Sequence, residues 1–280
     1  MKNIIVGIDF SASSLNALKH AIAISIKTHG RLHLVWVKTP SFTNKVSREQ
    51  MKKAMQKVQK ALDDLIVETK REVPKNEVLS VILDGKTSTE LTKYAANFAE
   101  SIIVIGTHGM SGQDVFAGSN AMKAVGLTTV PILILREEVK INRDLVQILV
   151  PIDPSFETLQ KMKFATRIAK AFAAKILLLG LNNPPTAEIK HTITVQLQHA
   201  STMCKDAKIR HAVTAIDVTG NATEAIINYA QDKDTNLIVV MREEDDFSNF
   251  WVGSDTRRMV NTSPMPIVVI PNVNYFAVSK

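Results

Sequence analysis

The chain has 280 residues, 45% hydrophobic and 22% charged, with a net charge of +7. That length and balance fit one large or two ordinary globular domains and exclude a disordered chain. Cys204 is the single cysteine, which excludes an intramolecular disulfide and a cysteine-built metal site, and no apolar run is long enough to span a bilayer.

Asn3 to Asp9 reads as an apolar strand that ends in a glycine and a carboxylate. Its apolar run is too short for a signal peptide, so a cytoplasmic protein is expected. Ser11 or Ser13 caps a helix in which Leu15, Leu18, Ile22 and Ile26 recur at helical spacing, and Gly30 closes it. Arg31 to Val37 is the second strand. Val46 to Arg71 carries Met51, Met55, Val58, Leu62, Leu65 and Ile66 at the spacing of a long amphipathic helix, which Pro74 ends. Much of the positive charge lies between Lys45 and Lys75, mixed with Glu49, Asp63, Asp64, Glu68 and Glu72, the pattern of a solvated helix face. With aromatics at 5% and no nucleic-acid-binding signature, the charge argues for no nucleic-acid partner. Glu77 to Leu83 is the third strand and Thr89 to Ala99 the third helix. Ile102 to Ile105 is a buried parallel strand, a helix starts at Ser119, and Pro131 to Leu135 is the fifth strand.

Between the fourth strand and its helix lie Gly106, Gly109 and Gly112, then Gly118-Ser119. Glycine lets backbone approach a ligand, and exposed N–H groups at a helix start favour an anion, so this stretch is a candidate phosphate cradle. The G-x-x-G-x-x-G spacing is not the dinucleotide fingerprint. The one GK[ST] sequence, Gly85-Lys86-Thr87, has Ser80 where a Walker loop needs glycine, and reads as a turn.

The pattern then repeats. NIIVGIDFS at 3–11 returns as QILVPIDPS at 147–155, and Gly118-Ser119 returns as Gly253-Ser254. Gly85 and Thr89-Glu90 are echoed by Gly220 and Thr223-Glu224. Strands alternating with helices imply parallel sheets covered on both faces, with ligands outside the strands' carboxyl ends. Each copy has the size of a whole domain. We expect domains over 1–138 and 145–280, joined by a charged linker over 136–144.

Gly106-Thr107-His108-Gly109 followed by Gly118-Ser119 resembles the nucleotide loop of the universal stress protein family, G-x2-G-x9-G-[ST], with eight intervening residues in place of nine. The duplication extends the resemblance over nearly the whole chain, as in tandem members of that family. It implies flavodoxin- or Rossmann-like α/β domains with five-stranded sheets ordered 3-2-1-4-5. It also implies fifth strands paired across a two-fold, hence an internal pseudo-dimer and scope for a homodimer. By the resemblance, Gly7, Ile8 and Asp9 line the base and ribose side of an ATP site, and Val37 contacts the base. Gly106, His108, Gly109, Gly118, Ser119 and Asn120 hold ribose and phosphates.

His108 reads as a loop-organising residue, since it has no nucleophile or metal set in sequence reach, and Asp9 reads as a hydrogen-bond acceptor rather than a general base. In the second copy, Met241-Arg242-Glu243-Glu244-Asp245-Asp246 replaces the glycine loop. Its carboxylates would repel triphosphate, and Pro151 and Pro154 flank Asp153, so this copy is expected not to bind ATP. The expected function is an ATP-binding regulatory or stress-response protein with one live site, magnesium accompanying the nucleotide, and at most slow ATPase activity. The alternatives are AMP as ligand, or a nucleotide-free interaction scaffold.

Overall fold

The computed structural model describes residues 1–43, 47–107, 119–137, 139, 144–242 and 254–272. The chain divides into two compact units, Met1–Glu137 and Glu138–Lys280.

The first unit runs β1 (Asn3–Gly7), α1 (Ala12–Thr28), β2 (Arg31–Lys38), α2 (Pro40–Thr43), α3 (Arg48–Glu72), β3 (Val78–Asp84), α4 (Thr87–Ala96), β4 (Ser101–Thr107), α5 (Ser119–Leu127) and β5 (Ile132–Arg136). Its strands are parallel in the order β3-β2-β1-β4-β5, the order expected from the resemblance, with helices on both faces. Ile4, Ile5 and Val6 of β1 and Ile102, Ile103 and Val104 of β4 are all 0% exposed. Unbroken apolar runs are what a central parallel strand needs, because neither of its faces meets water.

Capping sets the helix boundaries. The Ser11 side chain accepts from the Ser14 N–H at 3.2 Å and starts α1. Ser47 and Gln50 form a reciprocal capping box, so α3 begins at Arg48 rather than at Val46. The α4 helix begins at Thr87, two residues before the position read from the sequence, directly after Gly85 with its φ of +144°. The left-handed residue that closes α1 is His29, one position before Gly30.

The second unit runs β6 (Gln147–Ile152), a 3-10 turn (Phe156–Leu159), α6 (Met162–Phe172), β7 (Lys175–Asn182), α7 (Ala187–Asp206), β8 (His211–Asp217), α8 (Ala222–Asp232), β9 (Leu237–Met241), α9 (Ser254–Thr262) and β10 (Ile267–Ile270). Its parallel order, β8-β7-β6-β9-β10, repeats that of the first unit. One difference is at the central strand. β1 is registered with β4 from Asn3 to Val6, whereas β6 is registered with β9 only at Ile148 and Leu149. Pro151 stands where the first unit has Gly7 and has no N–H to give to the ladder.

Candidate functional site

In the first unit the strand order reverses at β1, which has β2 on one side and β4 on the other. Such a reversal leaves a crevice at the carboxyl ends of the strands, because the crossovers leave in opposite directions. Gly7 ends β1, and Ile8 stays tied to β2 through its N–H to the Val35 carbonyl at 2.8 Å. Asp9 follows and is exposed. Its Oδ1 accepts from the Ser11 N–H at 2.9 Å and from the Ser11 hydroxyl at 2.5 Å. The Asp9 N–H in turn reaches the Ser14 hydroxyl at 3.4 Å. These bonds fix the turn between β1 and α1.

Gly106, in the last part of β4, is held to glycine by α1. A Cβ there would lie 2.1 Å from the Ser13 carbonyl oxygen and 2.4 Å from its carbon. The missing side chain therefore lets the first turn of α1 rest on the end of β4. Sequence reasoning assigned Gly106 to ligand approach; the packing of α1 is a second and sufficient reason for it.

Gly7, Ile8, Asp9, Val37 and Gly106 thus meet at one sheet edge, with Ile8 and Val37 buried and Gly7 and Gly106 half-buried. Ser119 is the first residue of α5, and Asn120 is exposed on it. His108, Gly109 and Gly118 lie outside the described residues, as do Glu243 to Asp246 and Gly253 of the second copy.

The second unit repeats two hydrogen bonds of the first turn. The Asp153 Oδ1 accepts from the Ser155 N–H at 2.8 Å, and the Asp153 N–H reaches the Thr158 hydroxyl at 3.2 Å. These bonds match those of Asp9, Ser11 and Ser14, 144 positions earlier. What differs is Lys161, which takes the place of Ala17. Its side chain is 2% exposed, with Nζ 3.0 Å from the Thr158 hydroxyl and 3.6 Å from the Asp153 Oδ2. Burial pulls the Lys161 pKa below its usual value, while the Asp153 charge opposes that shift. Burial pushes the Asp153 pKa up, but the Lys161 ammonium and the bonds from Ser155 and Thr158 outweigh it and hold the carboxyl below its usual range.

A cleft of about 520 Å³ opens beside this pair, lined in part by Pro151, Asp153, Leu181, Met241 and Asp255. Met241 replaces Gly106, and Asp255, in the first turn of α9, replaces Asn120. A side chain at position 241 coincides with a 3-10 turn where the first unit has the regular start of α1.

The sequence model of the universal stress protein family matches residues 1–136 and again 146–271. The chain belongs to the universal stress protein family. A universal stress protein from Archaeoglobus fulgidus DSM 4304 superposes with a TM-score of 0.78 at 16% identity, covering 96% of this chain and 98% of that one. A protein of unknown function from Pseudomonas aeruginosa PAO1 superposes with a TM-score of 0.65 at 18% identity, covering 97% and 93%. At these identities the likeness is one of fold. No curated protein matches the chain.

In this universal stress protein the residue that sequence reasoning missed is Lys161. The repeat places it opposite Ala17 at an offset of 144, and it is the fold that shows Ala17 to be fully buried. A charge at a core position requires a partner, and the conserved spacing of the copies supplies Asp153.

Proposed function

We propose that this protein binds ATP, with magnesium, in the first unit and acts as a regulatory protein of stress response, the nucleotide serving as a bound signal. The observation that carries the reading is the convergence of Asp9 and Gly106 at the carboxyl edge where the strand order reverses. Two polar and glycine features read separately from the sequence meet at the position where open α/β sheets take ligands. The family's loop motif supplies the phosphate side, through Gly106, His108, Gly109, Gly118, Ser119 and Asn120. Gly7, Ile8, Asp9 and Val37 supply the base and ribose side. A ligand of this kind acts by its differential affinity for two conformations, and hydrolysis is no part of the proposal.

The second unit is proposed not to bind ATP. Asp153 is held by Lys161, Met241 stands in place of Gly106, and Asp255 puts a carboxylate in the first turn of α9. Isothermal titration of ATP with magnesium against the protein and against Gly109→Glu tests both statements. One site per chain, lost in the variant, is expected. Two sites would overturn the assignment of the second unit. No heat at millimolar ATP would overturn nucleotide binding and leave an interaction scaffold.

A further inference from the structure

Four hydroxyl side chains lie on α7, and three of them behave alike. Thr192, Thr194 and Thr202 donate to the carbonyls of Glu188, Lys190 and Gln198, four residues back, at 3.1, 2.7 and 3.0 Å. That is the ordinary bond of a hydroxyl inside a helix. The Ser201 hydroxyl instead lies 2.8 Å from the Nε2 of His211, the first residue of β8. The direction of that bond is set by the other side of the ring. The His211 Nδ1 lies 3.0 Å from the Ile209 carbonyl oxygen. A carbonyl oxygen can only accept, so Nδ1 carries the proton of the neutral ring and Nε2 presents a lone pair. Ser201 therefore donates, to a base that a third group holds in place.

A hydroxyl, a base and an orienting acceptor in a row is the arrangement that activates a serine. Ser201 and His211 are both half-buried, so the pair keeps a side open to a small molecule. The surroundings set what it would take. Further along, α7 is tied to β8 by Lys190 and Asp217 at 2.6 Å. Side chains alternate along a strand, so Val213 and Ala215 share the face of His211 and Asp217, between the two ties. Both are exposed, Val213 at 46%, and together they make a short apolar strip that starts beside the imidazole. Lys205 is exposed one helical turn beyond Ser201 on the same face of α7, and it brings a cation within reach of an oxyanion formed there.

We propose that Ser201 and His211 form an acyl-transfer site acting on activated carboxylic esters with a short apolar acyl group. The Ser201 Oγ bonds to the ester carbonyl carbon while the His211 Nε2 takes the hydroxyl proton. The bond from that carbon to the alcohol oxygen then breaks, and the alcohol leaves with the proton from Nε2. Water repeats the sequence on the acyl-serine: its proton passes through Nε2 to the Ser201 oxygen, and a carboxylic acid is released. The acyl chain lies along Val213 and Ala215. Because His211 opens β8, the pair sits at the amino end of that strand, away from the carboxyl edge, and the inference is independent of the nucleotide reading.

An alkyl fluorophosphonate traps such a serine irreversibly: the Oγ–phosphorus bond forms, fluoride leaves, and His211 takes the proton. The full chain is treated, digested with trypsin, and the peptide over 191–205 is mapped by mass spectrometry. Thr192, Thr194 and Thr202 in the same peptide serve as hydroxyls without a base. Ser201 is expected to react at least ~100-fold faster than these threonines, and at least ~100-fold slower after His211→Gln or after urea unfolding of the unchanged chain, the range a positioned base contributes. The unchanged chain is also expected to hydrolyse 4-nitrophenyl butyrate, and Ser201→Ala to lower that rate at least ~10-fold. The proposal is overturned if Ser201 takes no label, if the threonines label as fast, or if the unfolded chain labels at the native rate. Ester hydrolysis that is unchanged in Ser201→Ala would overturn it as well.

Discussion

Lys161 and Asp153 form a pair whose two halves are unequally buried, and that inequality predicts unequal costs of removal. The Lys161 side chain is 2% exposed and the Asp153 side chain 39% exposed. In Asp153→Asn the ammonium stays buried beside the Thr158 hydroxyl with no negative charge opposite it, and breaking a buried pair in this way costs about 3–5 kcal/mol. The fold can escape by releasing the lysine proton. From an ordinary value of 10.5, that costs about 5 kcal/mol at pH 7 and about 2 kcal/mol at pH 9, at about 1.36 kcal/mol per pH unit. The escape route is a ceiling, so the loss in Asp153→Asn is expected at about 3–5 kcal/mol at pH 7 and no more than about 2 kcal/mol at pH 9. The sign follows from linkage: the unfolded variant binds the proton that the folded variant gives up, so its relative stability rises with pH.

Lys161→Met behaves differently. The carboxylate keeps the Ser155 N–H at 2.8 Å and the Thr158 hydroxyl at 3.1 Å, and water reaches it. An apolar replacement also removes the cost of burying a charge, so a change of about 0–1 kcal/mol is expected. The double variant should resemble Lys161→Met. Hydrogen-exchange mass spectrometry of the β6 and α6 peptides measures these values, with β1 and α1 peptides as an internal control. Equal losses in the two single variants, or a loss in Asp153→Asn that is the same at pH 7 and pH 9, would refute the reasoning.

Three other outcomes follow from packing and burial. Gly106→Ala drives a Cβ into backbone atoms of Ser13 and is expected to cost about 3 kcal/mol or more, whereas Gly7→Ala meets side-chain methyls of Ile105 and Leu91 at 3.1 and 3.3 Å and should cost about 1 kcal/mol. Urea unfolding followed by Trp36 fluorescence in a Trp251→Phe background separates the two, and equal midpoints would count against the packing role of Gly106. His33 is 1% exposed, between the Tyr94 hydroxyl at 2.8 Å and the Asn3 side chain at 3.2 Å, and burial, aided by Arg31, lowers its pKa to about 4. Folding therefore resists its protonation, and stability present above pH 6.5 should fall by about 3 kcal/mol as pH drops to 4; a melting curve of His33→Gln no flatter across that window would contradict this. Cys204 is 0% exposed and burial pushes its pKa to about 11, so native labelling by a disulfide reagent at pH 8 should run at least ~100-fold slower than for a free thiol; stoichiometric labelling within minutes would disprove it.

Local sequence patterns determined most of the architecture. The runs at Ile4 to Val6 and Ile102 to Ile105 announce central parallel strands because a strand covered on both faces has no polar side to show. Repetition of Asp9 and Ser11 as Asp153 and Ser155 announces two domains, and these side chains, with Ser14 or Thr158, remake two bonds of the turn because those bonds span only two to five residues. Asp9 and Gly106 were legible as candidate site residues for the same local reason, a polar or glycine position at a strand end.

Contacts between distant segments were decided elsewhere. That Gly106 must be glycine depends on the Ser13 carbonyl, 93 positions away, and no periodicity near either residue encodes it. The shortened ladder between β6 and β9 reflects Pro151 only once β9 is known to be the neighbour that would have received its N–H. Lys161 carried a surface residue's composition signal, yet the packing of α6 on β6 buries it against Asp153, and the sheet brings Asp255 and Asn272 to the same cleft. Periodicity records which face of an element is apolar, over a few turns or pleats. Which charge lies opposite which carboxylate is a property of elements brought together across the chain, and only the folded structure fixes it.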